Sequence, residues 1–253
     1  MVDIDEHATG MPIWIDAMVS TAEELAALKE FYSGVFSWTW DHGPAETGYY
    51  SIARHRGRAV MGLGQMAATS GTILTYFSTD DAAGSVARAE TLGATVIVEA
   101  TPIMELGTMA LVLDPTGVVH GLWQPREFHG FGALYEVNAP GWFDHVSADP
   151  AAAARYYGAL TGHALLEPEP GLRILTNAEQ WFASLSSPQV LAGQTHWNPV
   201  FLVESLAATR DAVVAHGGRV LVEEMPVPGS AISAFLEPVC GGVVTVMRMG
   251  DQP

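Results

Sequence analysis

This sequence predicts an α+β chain of two tandem domains, each built from two strand-helix-strand-strand-strand modules. Three observations lead there. Leu92-Gly-Ala-Thr-Val-Ile-Val-Glu-Ala-Thr-Pro102 is echoed by His216-Gly-Gly-Arg-Val-Leu-Val-Glu-Glu-Met-Pro226, with glycine, valines, glutamate and proline in register. Trp14-Ile15-Asp16 heads one half of the chain and Trp142-Phe143-Asp144 the other, each before a helix carrying an aromatic pair, Phe31-Tyr32 or Tyr156-Tyr157. Asp114-Pro115 and Glu237-Pro238 follow the echoed segments at nearly the same offset. Self-similarity of this kind marks a duplication.

The elements follow in order. Met11 to Val19 reads as a strand, and Thr21 caps a helix with Glu23 and Glu24 in its positive first turn. Leu25, Leu28, Phe31, Tyr32 and Val35 keep helical spacing to about Phe36. Asp41-His42-Gly43-Pro44 breaks the chain, and strands follow at Tyr49–Ala53, Ala59–Gln65 and Ile73–Phe77. Asp80-Asp81 caps a second helix, which Gly93 stops. Strands at Thr95–Glu99, Thr108–Leu113 and Val118–Trp123 complete a first domain over 11–125, with a turn at Asp114-Pro115-Thr116-Gly117. Residues 126–140, rich in Gly and Pro, read as the linker. The second domain, 141–249, repeats the order: a strand at 142–147, a helix capped by Asp149-Pro150, and strands near 172–176, 181–186 and 199–203. A helix over 205–216 follows, then strands near 219–223, 231–236 and 243–248.

Composition narrows the function. Of 253 residues, 49% are hydrophobic and 15% charged, which describes a compact globular protein with ample core. A net charge of -17 argues against nucleic acid, whose phosphates need Lys and Arg to displace counterions, and against an anionic membrane surface. The one cysteine, Cys240, permits no intrachain disulfide and fits a reducing cytoplasm; it reads as a small residue in the turn before the last strand. Residues 1–10 are a polar, acidic leader without the pattern of a signal peptide. No apolar run approaches the roughly 20 residues that span a bilayer. A soluble cytoplasmic protein, monomer or homodimer, is expected.

The four modules resemble the vicinal oxygen chelate fold of glyoxalases, bleomycin-resistance proteins and extradiol dioxygenases. The matching residues are Phe31-Tyr32-Ser33-Gly34-Val35-Phe36-Ser37-Trp38, Leu113-Asp-Pro-Thr-Gly117 before Gly121-Leu-Trp-Gln124, and Gly93 and Gly218 at helix ends. The likeness covers about residues 11–249. It implies two cup-shaped eight-stranded sheets that bind small molecules, with a divalent metal held by a His near the start of each first strand and a Glu in the last. By position those ligand sites land on Trp14, Leu74, Trp142 and Asn198, and on Gly121 and Val244 or Thr245. None is a strong ligand, so no metal and no cofactor is expected.

Strand alternation places Trp14, Asp16, Met18, Leu74, Gly121 and Trp123 in the first cup, and Trp142, Asp144, Val146, Asn198 and Met247 in the second. Trp38, Trp40, Tyr49, Tyr50 and Trp181 fall at module edges, where they would line the mouths. The missing Glu at Gly121 would open space where the metal otherwise sits. Such cups suit a flat, hydrophobic aromatic ligand with few polar handles. Asp16 and Asp144, desolvated among indoles, are the candidate acid–base groups, joined by Tyr50 and His145. The bland alternative for each Asp is to satisfy backbone N–H groups or a Tyr inside the sheet. His145 points to the helix side of a regular strand, and only a bulge would turn it into the cup. His196 lies near the rim of the second cup, whereas His7, His42, His55, His129 and His216 read as loop or helix-end residues. Gly62-Leu63-Gly64 lacks a phosphate-loop pattern, and no serine sits in a nucleophile elbow.

Three functions follow. The first is a metal-independent tailoring enzyme carrying out dehydration, cyclisation, ketal formation or isomerisation of an aromatic, polyketide-like metabolite. The second is a non-catalytic protein that sequesters an antibiotic. The third is a metal-dependent glyoxalase or dioxygenase.

Overall fold

The computed structural model describes residues 7–66, 73–177, 180–187, 195–227, 229–239 and 242–248; Cys240, read above as a turn residue, lies outside them. The first module is β1 (Pro12–Val19), α1 (Ala22–Phe36), β2 (Thr39–His42), β3 (Ser51–His55) and β4 (Arg58–Gln65). The second is β5 (Ile73–Ser78), α2 (Ala82–Thr91), β6 (Thr95–Ile103), β7 (Gly107–Leu113) and β8 (Val119–Pro125). The third is β9 (Pro140–Val146), α3 (Pro150–Thr161), β10 (Ala164–Glu169), β11 (Leu172–Thr176) and β12 (Trp181–Ser186). The fourth is β13 (His196–Val203), α4 (Leu206–Ala215), β14 (Arg219–Val227), β15 (Ser230–Leu236) and β16 (Val243–Arg248). Modules pair into two eight-stranded sheets with strand orders β2-β3-β4-β1-β5-β8-β7-β6 and β10-β11-β12-β9-β13-β16-β15-β14. Neither sheet closes into a barrel, because each keeps two free edges.

Local chemistry sets the helix ends. Thr21 and Glu24 form a full capping box on α1, while Asp81, Asp149 and Ser205 each accept from a first-turn N–H of their helices. Gly93 leaves α2 at a φ of 91° and Gly217 leaves α4 at 83°, the left-handed geometry a glycine supplies cheaply. The helix-ending residue of the fourth module is therefore Gly217, not Gly218.

The edge strands differ from expectation. The expected break at Asp41-His42-Gly43-Pro44 overlaps a strand, Thr39–His42, and Ala164–Glu169 is a strand where none is expected; both pair at sheet edges. β10 is exposed along its whole length and β2 along most of it, so neither carries the apolar alternation that announces a strand. β6 and β14 run on through Pro102 and Pro226, prolines that bulged edge strands tolerate.

The two sheets meet on the faces that carry the helices. Phe36 and Trp38 pack on Phe201 at ring distances of 5.1 and 5.5 Å, and Phe77 packs on Trp197 at 5.1 Å. Each fully buried side chain of this size stabilises the fold by about 1.5–3 kcal/mol relative to exposure. The linker is part of this packing: Phe131, Ala133, Leu134 and Ala139 are buried, and Trp38 Nε1 donates to Asn138 O at 2.8 Å. Trp38 is thus an interdomain core residue and lines no mouth.

At the centre of the contact lies a buried polar cluster. His145 of β9 bonds Asp114 of the first domain at 2.9 Å, and Tyr157 donates to the same carboxylate oxygen at 2.9 Å. Trp197 Nε1 donates to Tyr157 Oη at 2.8 Å, and His120 bonds Tyr156 across the same boundary at 3.0 Å. Burial pushes the Asp114 carboxyl up. The His145 bond and charge, Thr116 and the Val118 N–H outweigh it and hold the group at about 2.

Candidate active site

The first cup is assembled by register. Asp16 of β1 lies beside Gly62 of β4 and Leu74 of β5, and Trp14 lies beside Tyr76, which in turn neighbours Gly121 of β8. Paired residues point to one side of a sheet, so Trp14, Asp16, Leu74, Tyr76 and the two glycines share the concave face. Met18 lies beside Gly64 and Trp123 beside Met109 on the same face.

Gly62 and Gly121 admit two tyrosines to the floor of this cup. A Cβ at Gly62 would fall 1.9 Å from Tyr50 Oη, and one at Gly121 would fall 2.0 Å from Tyr76 Cδ1. The space expected to open at Gly121 is therefore filled by the Tyr76 ring. Tyr50 donates to Asp16 Oδ2 at 3.2 Å and Tyr76 to Asp16 Oδ1 at 3.3 Å, while Trp14 Nε1 donates to Tyr50 Oη at 2.7 Å. Asp16 is 5% exposed. Burial drives its carboxyl up to about 7, against the opposing pull of the two tyrosine bonds. The same burial and the Asp16 charge hold both phenols well above 10, so they stay neutral. The result is a carboxyl poised to gain or lose a proton near neutrality, with a half-buried phenol, Tyr50, touching it from the cup.

The linker supplies one wall. Phe128 meets Trp14 edge to face at 4.8 Å, and its carbonyl accepts from Trp123 Nε1 at 3.0 Å.

The second cup repeats the register with different chemistry. Asp144 of β9 lies beside Ser184 of β12 and Asn198 of β13, and Val200 lies between Trp142 and Thr245. Trp142 Nε1 donates to Ser184 Oγ at 2.9 Å and to Asp144 Oδ1 at 3.3 Å, and Ser184 also donates to Asp144 Oδ1. Asn198 Nδ2 donates to Thr245 Oγ1 at 2.8 Å. Burial raises the Asp144 carboxyl above its ordinary value, opposed by the Ser184 and Trp142 bonds. Met247, beside Ile232, completes the wall.

Two expected site residues lie elsewhere. His145 is fully buried on the helix side of β9, held by Asp114, because the strand has no bulge there to turn it into the cup. Trp40 packs on α1, with Nε1 donating to Lys29 O at 3.3 Å and Ser33 Oγ at 3.0 Å, since its strand neighbour Ala53 faces the core. Tyr49, in the turn before β3 at a φ of 53°, and Trp181, at the start of β12, are each half exposed. Sequence reasoning missed Tyr76, two residues beyond Leu74 on the same face, and likewise Ser184, whose place in a central strand was the available signal.

Pairing also identifies equivalent positions. Exchanging Trp14 with Leu74 and Asp16 with Tyr76 leaves the β1–β5 register unchanged, and the matching exchange of Trp142 with Asn198 holds for β9–β13. The four ligand positions are then Trp14, Gly62, Leu74 and Gly121 in one cup, and Trp142, Ser184, Asn198 and Thr245 in the other; Val244 faces away. Neither set offers the imidazole and carboxylate group that a divalent metal of this fold needs. Among the described residues no three His, Cys, Asp or Glu side chains are grouped to hold an ion. The residues present do not fit the fold's metal.

Architecture and site together define a tandem protein of the vicinal oxygen chelate fold with aromatic, carboxylate-bearing cups. Among solved structures, the chain superposes on the Mn(II)-bound glyoxalase from Novosphingobium aromaticivorans with a TM-score of 0.68 and 14% identity, over 96% of this chain and 83% of that one. It matches the 2,3-dioxygenase LapB from Pseudomonas sp. KL28 with a TM-score of 0.65 and 15% identity, over 96% and 93%. In sequence it is similar to CFP32 of Mycobacterium tuberculosis, whose name assigns it provisionally to the glyoxylases, with 28% identity over 98% of each chain. It is also similar to the anthracycline biosynthesis protein DnrV of Streptomyces peucetius, with 29% identity over 94% of each. No family model matches the chain. No helix among the described residues is long and apolar enough to cross a membrane.

Proposed function

We propose that this protein is a metal-independent tailoring enzyme that uses acid–base catalysis on a hydrophobic, aromatic, polyketide-like secondary metabolite, with the first cup as its reaction centre. The observation that carries this reading is Asp16: a buried carboxyl near pKa 7, bonded to Tyr50 and Tyr76 on the aromatic floor of a cup. In the proposed step the ionised Asp16 takes a proton from an acidic position of the substrate through the Tyr50 hydroxyl. It returns that proton to another atom of the substrate or to a departing hydroxyl, giving isomerisation, cyclisation or loss of water. Trp14, Trp123 and Phe128 supply apolar walls for the flat rings. The similarity to DnrV, named for anthracycline biosynthesis, supports a substrate of this class.

The test is a panel of hydroxylated polycyclic aromatic ketones incubated with the chelator-treated protein and followed by chromatography and mass spectrometry. Asp16→Asn should lower turnover by about 10²–10⁴-fold with binding retained, the usual contribution of one acid–base group. Turnover that survives this substitution, or that needs an added divalent metal, would overturn the reading. Binding without any turnover would point instead to a sequestering protein.

A further inference from the structure

The second cup differs from the first in what it leaves unpaired. Asn198, 6% exposed, stands on the cup face beside Asp144 and bonds Thr245 through Nδ2, while its Oδ1 is buried and has no partner among the described residues. Turning the amide over would only exchange which end is left, because Thr245 can bond one end at a time. A buried amide end without a partner costs about 1–3 kcal/mol, so it calls for a ligand group. Asp144 shows the same asymmetry. Trp142 and Ser184 both bond its Oδ1, and among the described residues no hydrogen bond reaches Oδ2. No Lys, Arg or His forms an ion pair with Asp144 among the described residues; its neighbour His145 faces the other side and is bound to Asp114. His196, two residues before Asn198 on the same face, is held below its ordinary value by burial and so adds no standing positive charge.

In the first cup nothing comparable is left over, since tyrosine hydroxyls occupy both oxygens of Asp16. The half-buried Trp142 indole bonds the other oxygen of the same carboxyl, and an indole face attracts cations. The net charge of -17 favours the approach of a cation to either cup.

We propose that the second cup is a binding site for a small aromatic organic ammonium ion, separate from the acid–base centre of the first. The ammonium N–H groups donate to Asp144 Oδ2 and to the free end of the Asn198 amide, and the aromatic part lies against Trp142. Burial already holds the Asp144 carboxyl high, so an ammonium partner relieves the cost of its ionised form. This assignment stands whether or not the first cup is catalytic.

Benzylammonium, with neutral benzyl alcohol as the comparison, tests it by titration into ¹⁵N-labelled protein. The indole N–H signals of the seven tryptophans are followed, with Trp142 assigned through Trp142→Phe. Benzylammonium should shift the Trp142 signal saturably and leave Trp14 and Trp123 in place. Asp144→Asn should weaken binding by about tenfold or more, the loss expected for one charge-assisted hydrogen bond. Asn198→Ala should weaken it by about fivefold, and Asp16→Asn by less than about twofold. Unchanged indole signals of Trp38 and Trp40, whose N–H groups bond partners outside both cups, establish in each variant that the fold is kept. The proposal fails if benzylammonium does not bind, if benzyl alcohol binds equally well, if Asp144→Asn keeps full affinity, or if the shifts centre on Trp14.

Discussion

Asp16→Asn should make the protein more stable at alkaline pH while removing its proposed activity. In the folded protein the Asp16 carboxyl is raised from 3.8 to about 7 by burial, which the two tyrosine bonds only partly offset. A group raised in the folded state contributes stability fully below its unfolded value and loses it as pH climbs through the folded value. Between about pH 4 and 7 the wild type therefore loses roughly 4 kcal/mol from this one group. His120 acts in the opposite direction. Burial lowers it from 6.5 to about 4, so the unfolded chain binds the extra proton and stability rises by roughly 3 kcal/mol over that window. The two slopes nearly cancel in the wild type, and Asp16→Asn leaves the His120 slope exposed. Urea unfolding followed by tryptophan fluorescence at intervals from pH 4.5 to 8.5 reads both profiles. The variant should gain on the wild type steadily up to about pH 7 and then hold its lead. Parallel profiles for the two proteins would show that Asp16 ionises as an ordinary carboxylate and would refute the reasoning.

Two further outcomes follow from the same geometry. Tyr76→Phe removes one of the bonds that favour ionised Asp16, so the Asp16 titration, read by carboxyl ¹³C chemical shift, should move up from about 7 by about one unit; a titration that stays in place contradicts the assigned bond. Asp114→Asn breaks the buried contact with His145 and Tyr157 and should cost about 3–5 kcal/mol, the range for removing one partner of a buried pair. Because Asp114 is held down at about 2, its stabilisation is present above about pH 4 and fades only as pH falls toward 2. Matched unfolding curves for this variant and the wild type at pH 7 would show that the domains do not depend on the cluster.

The central strands and helices were legible because their residues answer to two simple periodicities. Trp14, Asp16 and Met18 alternate on β1, and Leu25, Leu28, Phe31 and Tyr32 follow the helical face of α1. The duplicated segments then set the order of modules, and the family resemblance, carried over by position before each helix, gave Trp14 with Leu74 and Trp142 with Asn198, equivalences that the register within each sheet reproduces. Two of the four edge strands were not legible, because β2 and β10 bury little and are held by backbone bonds that any residue can make. Nor was the interdomain cluster: Asp114 and His145 meet across a distance that no local pattern encodes, and His120 drew no attention beside a glycine. Trp40 misled for a related reason. Its aromatic size suggests a mouth, but the side chain's direction depends on the pairing of an unpredicted strand.

The same duplication that built two cups allowed them to diverge. Gly62 and Gly121 stand where the second cup has Ser184 and Thr245, and only glycine lets Tyr50 and Tyr76 lie flat enough to reach Asp16. A serine and a threonine at those places bring hydroxyls up from the floor instead. They bond Asp144 and Asn198 directly and leave one oxygen of each carboxyl or amide facing the cup. A change from hydroxyl to hydrogen at two floor positions thus separates a carboxyl enclosed by phenols, suited to moving protons, from one left open, suited to holding a cation. On this account the pair of glycines, more than either aspartate, distinguishes the two sites, since both cups keep the carboxylate and only one keeps the room above it.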